Sequence, residues 1–348
     1  MHILKHTLLI YCLLVLLYPV TLQARQVKDL YQAAVPVADQ SPASRVQALR
    51  DVLRKVLVKV TGQSALSASQ IQQFGSIEHM VEQFGYETRE TGSTDRRQLY
   101  LWAKLSPVGV KGLVRQAQLP IWPEERPETL VWIAIEDAVG KQVLAEGGAH
   151  RAVKLLQQVA GERGLPFVLP LMDLQETSTV EFDTIAAMQT DALQQASTRY
   201  GSQYVLVGSV QQVEGGMWRG RWRLLDEAQQ LTVTPAGPLA DVIDAGINPL
   251  ASRIAREFAS FSYIDGEQYI ELAVDDINGA EDYARSLKYL ESLSLVTSVD
   301  VTGVDGPMVN FRLHTSADLA SVMQVIDLGK VLYARENSID QLVFGLYP

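Results

Sequence analysis

The chain has 348 residues, of which 47% are hydrophobic and 20% are charged, and its formal net charge is -10. This is the composition of a globular protein, and the length suggests two or three domains. Surfaces that bind nucleic acids are basic, so the acidic balance, with a pI of about 5.1, argues against a nucleic-acid partner.

The first 24 residues have the pattern of a secretory signal peptide. Lys5 lies in a short polar start, and residues 7–20 are almost all apolar. A helix needs about 20 apolar residues to cross a bilayer, so this run is short for a membrane span and suits a signal peptide. Cleavage after Ala24 predicts a periplasmic protein with no transmembrane segment after signal removal. The alternative is an uncleaved signal that tethers the chain to the inner membrane.

Cysteine and histidine are scarce in this sequence. The single cysteine, Cys12, lies within the predicted signal, so the mature chain is expected to have no disulfide and no thiolate metal site. His79, His150 and His314 lie far apart, and none has a second ligand at helical or hairpin spacing. We therefore expect no metal and no cofactor.

Two breaks divide the mature chain into three modules. The first is the Pro-rich stretch at 119–128, which is typical of an interdomain connection, and the second is a softer break near residue 260. The predicted organisation is a signal peptide at 1–24, an N-terminal α+β module at 25–118, a linker at 119–128, a central α/β module at 129–260 and a C-terminal module at 265–348.

The clearest predicted element of the N-terminal module is a helix over 42–61. Ser41 is its cap, Pro42 fits the first turn and Gly62 follows its end. Apolar residues recur at helical spacing along one face. The helix's many cations, including Lys59, could meet anionic lipid or an acidic partner, but they are spread around the polar side, and we interpret them as a solvated face. A strand pair is expected near 86–90 and 98–105.

The other two modules have different predicted orders of elements. In the central module, strands separated by 10–15-residue helices predict a βαβαβ-type, mainly parallel sheet with a hairpin. The apolar run at 129–135 is its buried strand, 165–171 is the next strand, and Asp183 caps a helix that extends to about Tyr200. The C-terminal module has the order strand, helix, strand, strand, helix, strand, which is that of a ferredoxin-like fold (βαββαβ). Its middle strands flank the turn Asp305-Gly306, and its last strand is expected at 341–346.

The segment 201–226 is predicted to be a hairpin and carries a row of arginines. After the turn at 214–216 the strand alternates, and one face has two tryptophans. The opposite face has Arg219, Arg221 and Arg223. This row could bind an anionic ligand or a partner, or it could be a solvated face. A nucleotide-binding loop is disfavoured, because no lysine followed by serine or threonine follows the glycines.

Acidic residues offer one catalytic candidate. Asp137 follows the buried strand, at the end of the sheet where open α/β folds bind ligands. Asp275 and Asp276 are adjacent, and neighbouring side chains of a strand point to opposite faces, so we expect no shared-proton pair there. No catalytic motif is found around any of these residues.

Three stretches carry a family resemblance: VPVADQSPASRVQALRDVLRKVLVKVTG, LPIWPEERPETLVWIAIED and YARSLKYLESLSLVTSVDV. Together they resemble the domain-of-unknown-function family 2066 of proteobacterial exported proteins, which implies an envelope protein of unassigned function. The helix followed by YGSQYVLVGSV is loosely similar to the periplasmic α/β modules of the curli-secretion lipoprotein CsgG. That likeness implies assembly and protein contact.

We therefore expect a non-enzymatic periplasmic protein of the cell envelope, an assembly or accessory factor with an envelope protein as its partner. Two alternatives remain open. One is a periplasmic carboxylate-dependent enzyme that uses Asp137. The other is a binding module for an anionic glycan or lipid phosphate at the arginine row.

Overall fold

The computed structural model describes residues 25–27, 29–72, 74–91, 96–225, 232–259, 268–335 and 342–347. The predicted signal peptide therefore lies outside the described residues. Within them, ten α-helices and three sheets of three or more strands form a multi-module fold of mixed α and β structure, as the sequence predicts. No helix in this part of the chain is long and apolar enough to cross a membrane.

The helices are α1 (Pro42–Thr61), α2 (Ala68–Gln72), α3 (Pro107–Gln116), α4 (Arg151–Arg163), α5 (Leu174–Thr177), α6 (Phe182–Ala186), α7 (Thr190–Ser197), α8 (Leu239–Phe258), α9 (Ala280–Ser292) and α10 (Leu319–Leu328). The strands are β1 (Arg25–Gln26), β2 (Gln32–Pro36), β3 (Val81–Thr91), β4 (Arg96–Leu105), β5 (Glu125–Arg126), β6 (Thr129–Asp137), β7 (Gly140–Val143), β8 (Phe167–Val168), β9 (Tyr204–Gln212), β10 (Trp218–Leu224), β11 (Thr232–Val233), β12 (Ala236–Gly237), β13 (Gln268–Asp275), β14 (Val296–Asp305), β15 (Met308–Thr315), β16 (Leu332–Ala334) and β17 (Leu342–Leu346).

Helix α1 packs on a three-stranded antiparallel sheet of order β2-β4-β3. The predicted caps are confirmed: the Ser41 hydroxyl accepts the Ser44 N–H at 3.3 Å, and Gly62 has a left-handed φ of 71°. Its apolar face is buried against the sheet, apart from Val46 in the first turns, which is 38% exposed. Local sequence signals therefore place this helix correctly.

The central sheet has the order β11-β10-β9-β6-β7, with β8 beside β6 and β12 beside β10. Strand β6 runs parallel to β8 and β9, and the other pairings are antiparallel. The sequence predicted a mainly parallel sheet. The sheet is mixed, because β7 and β10 each join it through a hairpin and are antiparallel to their neighbours. Helices α4 and α8 cover one face, and the short helices α6 and α7 cover the other.

Two predicted elements of the central module are shorter than expected. Only β8 forms a strand within 165–171, since prolines flank it on both sides. The helix predicted from Asp183 to Tyr200 is divided into α6, α7 and a 3-10 turn. Met188, between α6 and α7, has a left-handed φ of 55°, which ends the first helix.

The C-terminal sheet has the order β14-β15-β13-β17-β16, with its core beneath α9 and α10. The hairpin of β14 and β15 turns at Gly306, as predicted. The last two strands of the sheet differ from the predicted ferredoxin-like order. Strand β16 is additional and pairs with β17, and β17 runs parallel to β13. A three-residue strand has too few residues to give an alternation signal.

Candidate functional site

The Pro-rich stretch at 119–128, predicted as a linker, is largely buried at the centre of the molecule. We call it the strap. Trp122 is 1% exposed and Arg126 is fully buried. The main-chain N–H of Trp122 donates to the Val60 carbonyl at 2.8 Å, and strand β5 of the strap pairs with β1. The strap is therefore part of the folded interior and contacts the N-terminal module.

Arg126 uses all of its N–H groups on main-chain carbonyls of three segments. Its guanidinium donates to the carbonyl oxygens of Lys59 (2.8 Å), Trp122 (3.3 Å), Pro123 (2.9 Å), Arg163 (3.4 Å) and Gly164 (2.6 Å). It also stacks on Trp122, 3.7 Å from the ring centroid. These carbonyls include those at the C-terminal ends of α1 and α4, which carry partial negative charge.

A second buried arginine joins the same helix ends. Arg163, the last residue of α4, donates to the Asn248 side-chain oxygen at 2.8 Å, the Gly62 carbonyl at 2.9 Å and the Ser252 hydroxyl at 3.1 Å. Burial lowers the pKa of Arg163, and the nearby Asp244 carboxylate opposes this change. The two arginines thus hold α1, α4 and α8 together.

Glu125 connects the strap to the C-terminal module. Ser294 donates its N–H to Glu125 Oε1 at 2.9 Å and its hydroxyl to Oε2 at 2.5 Å. Glu125 is 6% exposed, so this contact is shielded from water. The strap therefore contacts all three modules, and Glu125 and Arg126 are both engaged in structural contacts.

Asp137, the catalytic candidate, forms a hydrogen-bonded pair with His150. The Asp137 Oδ2 and His150 Nε2 atoms are 3.2 Å apart, and the His150 Nδ1 atom accepts the Ala152 N–H at 3.1 Å as the cap of α4. Because Nδ1 is an acceptor, the neutral ring carries its proton on Nε2 and donates it to Asp137. Both ring nitrogens are therefore engaged in holding the turn after β6 against the start of α4.

Replacement of Asp137 by asparagine is expected to lower the free energy of unfolding at pH 7 by about 1 kcal/mol. The Val139 N–H, 2.8 Å from Oδ1, and then the His150 contact hold the pKa of Asp137 below its ordinary value. This stability is present above the unfolded-state pKa of about 3.9 and is lost as pH falls through the lower folded-state pKa. Urea unfolding between pH 7 and pH 3 should show the two proteins converging.

The matched control for this measurement is Asp183→Asn, because Asp183 is 79% exposed and forms an exposed ion pair with Lys141 at 3.4 Å. This variant should match the original protein at every pH. A difference between the Asp137 variant and the original protein that grows at low pH would contradict the assignment.

The arginine row lies on one face of β10, and the predicted alternation is confirmed. Trp218 and Trp222 are each 1% exposed on the opposite face. Arg221 donates to the Ala186 carbonyl at the end of α6, and Arg223 Nε is buried with no hydrogen-bond partner among the described residues. The three side chains share a face, but one of them is already engaged within the fold.

Asp275 and Asp276 meet on one partner that the sequence did not indicate. Arg335 contacts Asp275 Oδ2 at 2.6 Å and also contacts the Asp276 carboxylate. Asp276 has a left-handed φ of 66°, so it leaves the strand and its side chain does not point to the opposite face. Among the residues that the structure describes, no group of three or more His, Cys, Asp or Glu is arranged to hold a metal ion.

The sequence also missed a buried cluster below the loop at 171–174, which we call the leucine loop. Glu176 is 2% exposed, accepts the Met172 N–H at 2.7 Å and contacts the Tyr200 hydroxyl. Burial and the Glu176 contact raise the pKa of Tyr200 to about 12. No motif signals such a cluster, because its members come from two helical segments and a loop.

Residues 24–123 match the family model of a domain of unknown function (DUF8605). This range contains the N-terminal sheet, α1 and the first part of the strap, and it covers less than half of the chain. This part is therefore similar to an uncharacterised domain, as expected from the sequence, but the matching model is not that of family 2066. No curated protein matches the chain.

Proposed function

We propose that the protein is a non-enzymatic periplasmic protein of the cell envelope, an assembly or accessory factor that acts by binding an envelope protein. The supporting observation is the leucine loop. Leu174 is 91% exposed and Leu171 is 56% exposed, although both are large apolar side chains. Apolar side chains displayed together on a surface are typical of protein-binding sites.

Buried polar groups fix the backbone of this loop. The Tyr200 hydroxyl accepts the Leu171 N–H at 2.8 Å, and Arg199 lies 2.9 Å from Asp173 and 3.3 Å from Glu176. A loop that is already ordered loses little conformational entropy when it binds. The buried glutamate therefore supports a preformed contact surface.

The periplasmic location and the wider family are parts of the same proposal. They are supported by the signal-like pattern of residues 1–24 and by the resemblance to the domain-of-unknown-function family 2066 of exported proteins. Two of the three stretches that carry this resemblance extend beyond residue 123, the end of the family match. The division into modules at 25–118, 129–260 and 265–348 is proposed on the three sheets and their separate cores.

The test is site-specific photo-cross-linking in cells. A cross-linking amino acid at Leu174 is expected to capture one envelope protein reproducibly, and the double variant Leu171→Ser, Leu174→Ser should lose that partner on co-purification. Both side chains are exposed, so the free energy of unfolding should change by no more than about 0.5 kcal/mol. Val108, 83% exposed on α3, is the matched control position.

Two outcomes would contradict the proposal. The first is an identical cross-linking pattern from Leu174 and Val108. The second is turnover of a cell-wall or lipid substrate by the purified protein that a single substitution abolishes.

A further inference from the structure

A groove of about 550 Å³ lies between the N-terminal sheet and helix α4. The edge strand β2 forms one wall through Gln32 and Ala34, and α4 forms the opposite wall through Gln158 and Glu162. Trp102 and Lys59 also line it. The groove therefore places the free edge of a strand opposite the face of a helix.

The hydrogen-bonding alternation of β2 directs main-chain groups into this groove. The Leu105 N–H donates to the Tyr31 carbonyl and the Val37 N–H to the Leu99 carbonyl, both at 2.9 Å. In an antiparallel pair such bonds fall on alternate residues, so the even-numbered residues of β2 direct their N–H and C=O groups away from β4. Ala34 is one of these residues and lines the groove.

Lys59 occupies the neighbouring position on the same edge. Its ammonium donates to the Gln32 carbonyl at 2.8 Å and to the Asp29 carbonyl at 3.3 Å. The outward-facing carbonyl of Gln32 therefore already accepts a hydrogen bond, and the Lys59 ammonium is held at one end of the open part of β2. The strand edge that remains open is therefore centred on Ala34.

Lys59 differs from Lys55 and Arg89, the other cations of the groove, because those two are paired with carboxylates. Lys55 pairs with Glu162 at 3.1 Å, and Arg89 pairs with Glu87 at 2.5 Å. Among the described residues no carboxylate lies within ion-pair distance of Lys59. Burial lowers its pKa to about 8, and the Asp29 and Glu162 carboxylates only partly offset this. A carboxylate placed in the groove would complete the pairing.

Trp102 supplies an apolar surface beside this edge. It is paired with Ala34 across β2 and β4, and its indole lies against Gly85, where an added Cβ would be only 2.8 Å from the indole nitrogen. Glycine at position 85 thus allows the ring to lie close to the sheet, where an aliphatic side chain can pack on it.

We propose that this groove binds an extended peptide segment that carries an acidic side chain. The segment adds a short strand to β2 through the N–H and C=O of Ala34 and places its carboxylate beside the Lys59 ammonium. Pro36, the next outward residue, has no N–H, so the added strand is short. This inference rests on the proposed function, since it describes the chemistry of a protein partner, and it adds a surface separate from the leucine loop.

The test uses a library of random 12-residue peptides displayed on phage and selected on the purified protein. Enriched peptides are expected to contain Asp or Glu and to bind in an extended conformation. Replacement of Lys59 by methionine should weaken their binding about 10-fold or more, since a hydrogen-bonded charge pair is lost. Lys111→Met, which makes the same change in net charge at a lysine outside the groove, should leave affinity unchanged.

The main-chain contact is tested separately with Ala34→Pro, which removes the outward N–H without removing a bond to β4. Binding should again weaken severalfold. If this variant fails to fold, N-methylation of single peptide residues tests the same hydrogen bonds from the ligand side, and one methylated position should abolish binding. A library that yields no enriched peptide, or peptides that ignore both Lys59→Met and N-methylation, would overturn the inference.

The failure of this inference is distinguishable from failure of the proposed function. Capture of a partner from Leu174, together with no groove-dependent peptide binding, would remove only the groove. Peptide binding in the groove with no partner captured from Leu174 would leave the groove in place and remove the leucine loop as the contact surface.

Discussion

Replacement of Arg126 by methionine is expected to lower the free energy of unfolding by about 3 kcal/mol or more, the largest effect predicted for this protein. Methionine replaces the aliphatic part of the arginine side chain but leaves buried carbonyls of α1, the strap and the end of α4 without donors. The side chain is fully buried, so water cannot replace the lost hydrogen bonds without opening the interface. Urea unfolding followed by tryptophan fluorescence would measure the loss.

Arg54→Met is the matched control for this measurement. Arg54 lies on the exposed side of α1, and its guanidinium is 2.7 Å from Asp51. Exposed pairs of this kind contribute about 0–1 kcal/mol, so the control should unfold close to the original protein. Arg126→Lys should remain strongly destabilised, because a single ammonium cannot reach carbonyls on both helix ends. Equal unfolding midpoints for the Arg126 and Arg54 methionine variants would refute the structural role of Arg126.

Replacement of Gly246 by alanine is expected to destabilise the central module by about 1–3 kcal/mol, although alanine is the better helix former. Gly246 lies in α8, and an added Cβ would be 2.4 Å from the Trp222 indole. The ring cannot move away, because Gly208 of β9 approaches its other side and its Nε1 atom donates to the Val242 carbonyl at 3.0 Å. Thermal unfolding should show a lower midpoint.

Gly112→Ala provides the opposite control in another helix. Gly112 is exposed within α3, and no atom lies within 4 Å of an added Cβ. There the gain in helix propensity is unopposed, and the variant should be more stable by up to about 1 kcal/mol. If both substitutions shifted the stability in the same direction, the result would contradict the close packing of Trp222 between α8 and β9.

Short-range patterns in the sequence predicted the elements whose signals are local. Helix α1 begins and ends where Ser41 and Gly62 indicate, because each cap needs only neighbouring backbone groups. The hairpin of β9 and β10 follows from a turn between two strands, and alternation along the second strand separates tryptophans from arginines. The apolar run at 129–135 similarly indicates a strand that is buried on both faces.

The candidate functional surfaces were harder to predict, because their residues come from distant parts of the chain. The leucine loop depends on Tyr200, which lies more than 20 residues beyond it. Lys59 belongs to a helix face interpreted as solvated, but β2 and α4 enclose it in the groove. Asp137 was singled out from its place after the apolar run at 129–135, whereas its bond to His150 depends on the packing of α4. Helical spacing predicts the face of the helix on which a residue lies, but it does not predict which element packs against that face.

By itself the sequence therefore determined the positions of the main helices and hairpins and the multi-module character of this protein, because caps, turns and apolar periodicity act over a few residues. Only the tertiary structure decided that the Pro-rich stretch is a buried strap, that β17 runs parallel to β13 with β16 antiparallel beside it, and that Arg126 and Arg163 join the ends of α1 and α4. Those outcomes depend on which distant carbonyls and side chains meet after packing, and charge or proline content alone does not specify such partners.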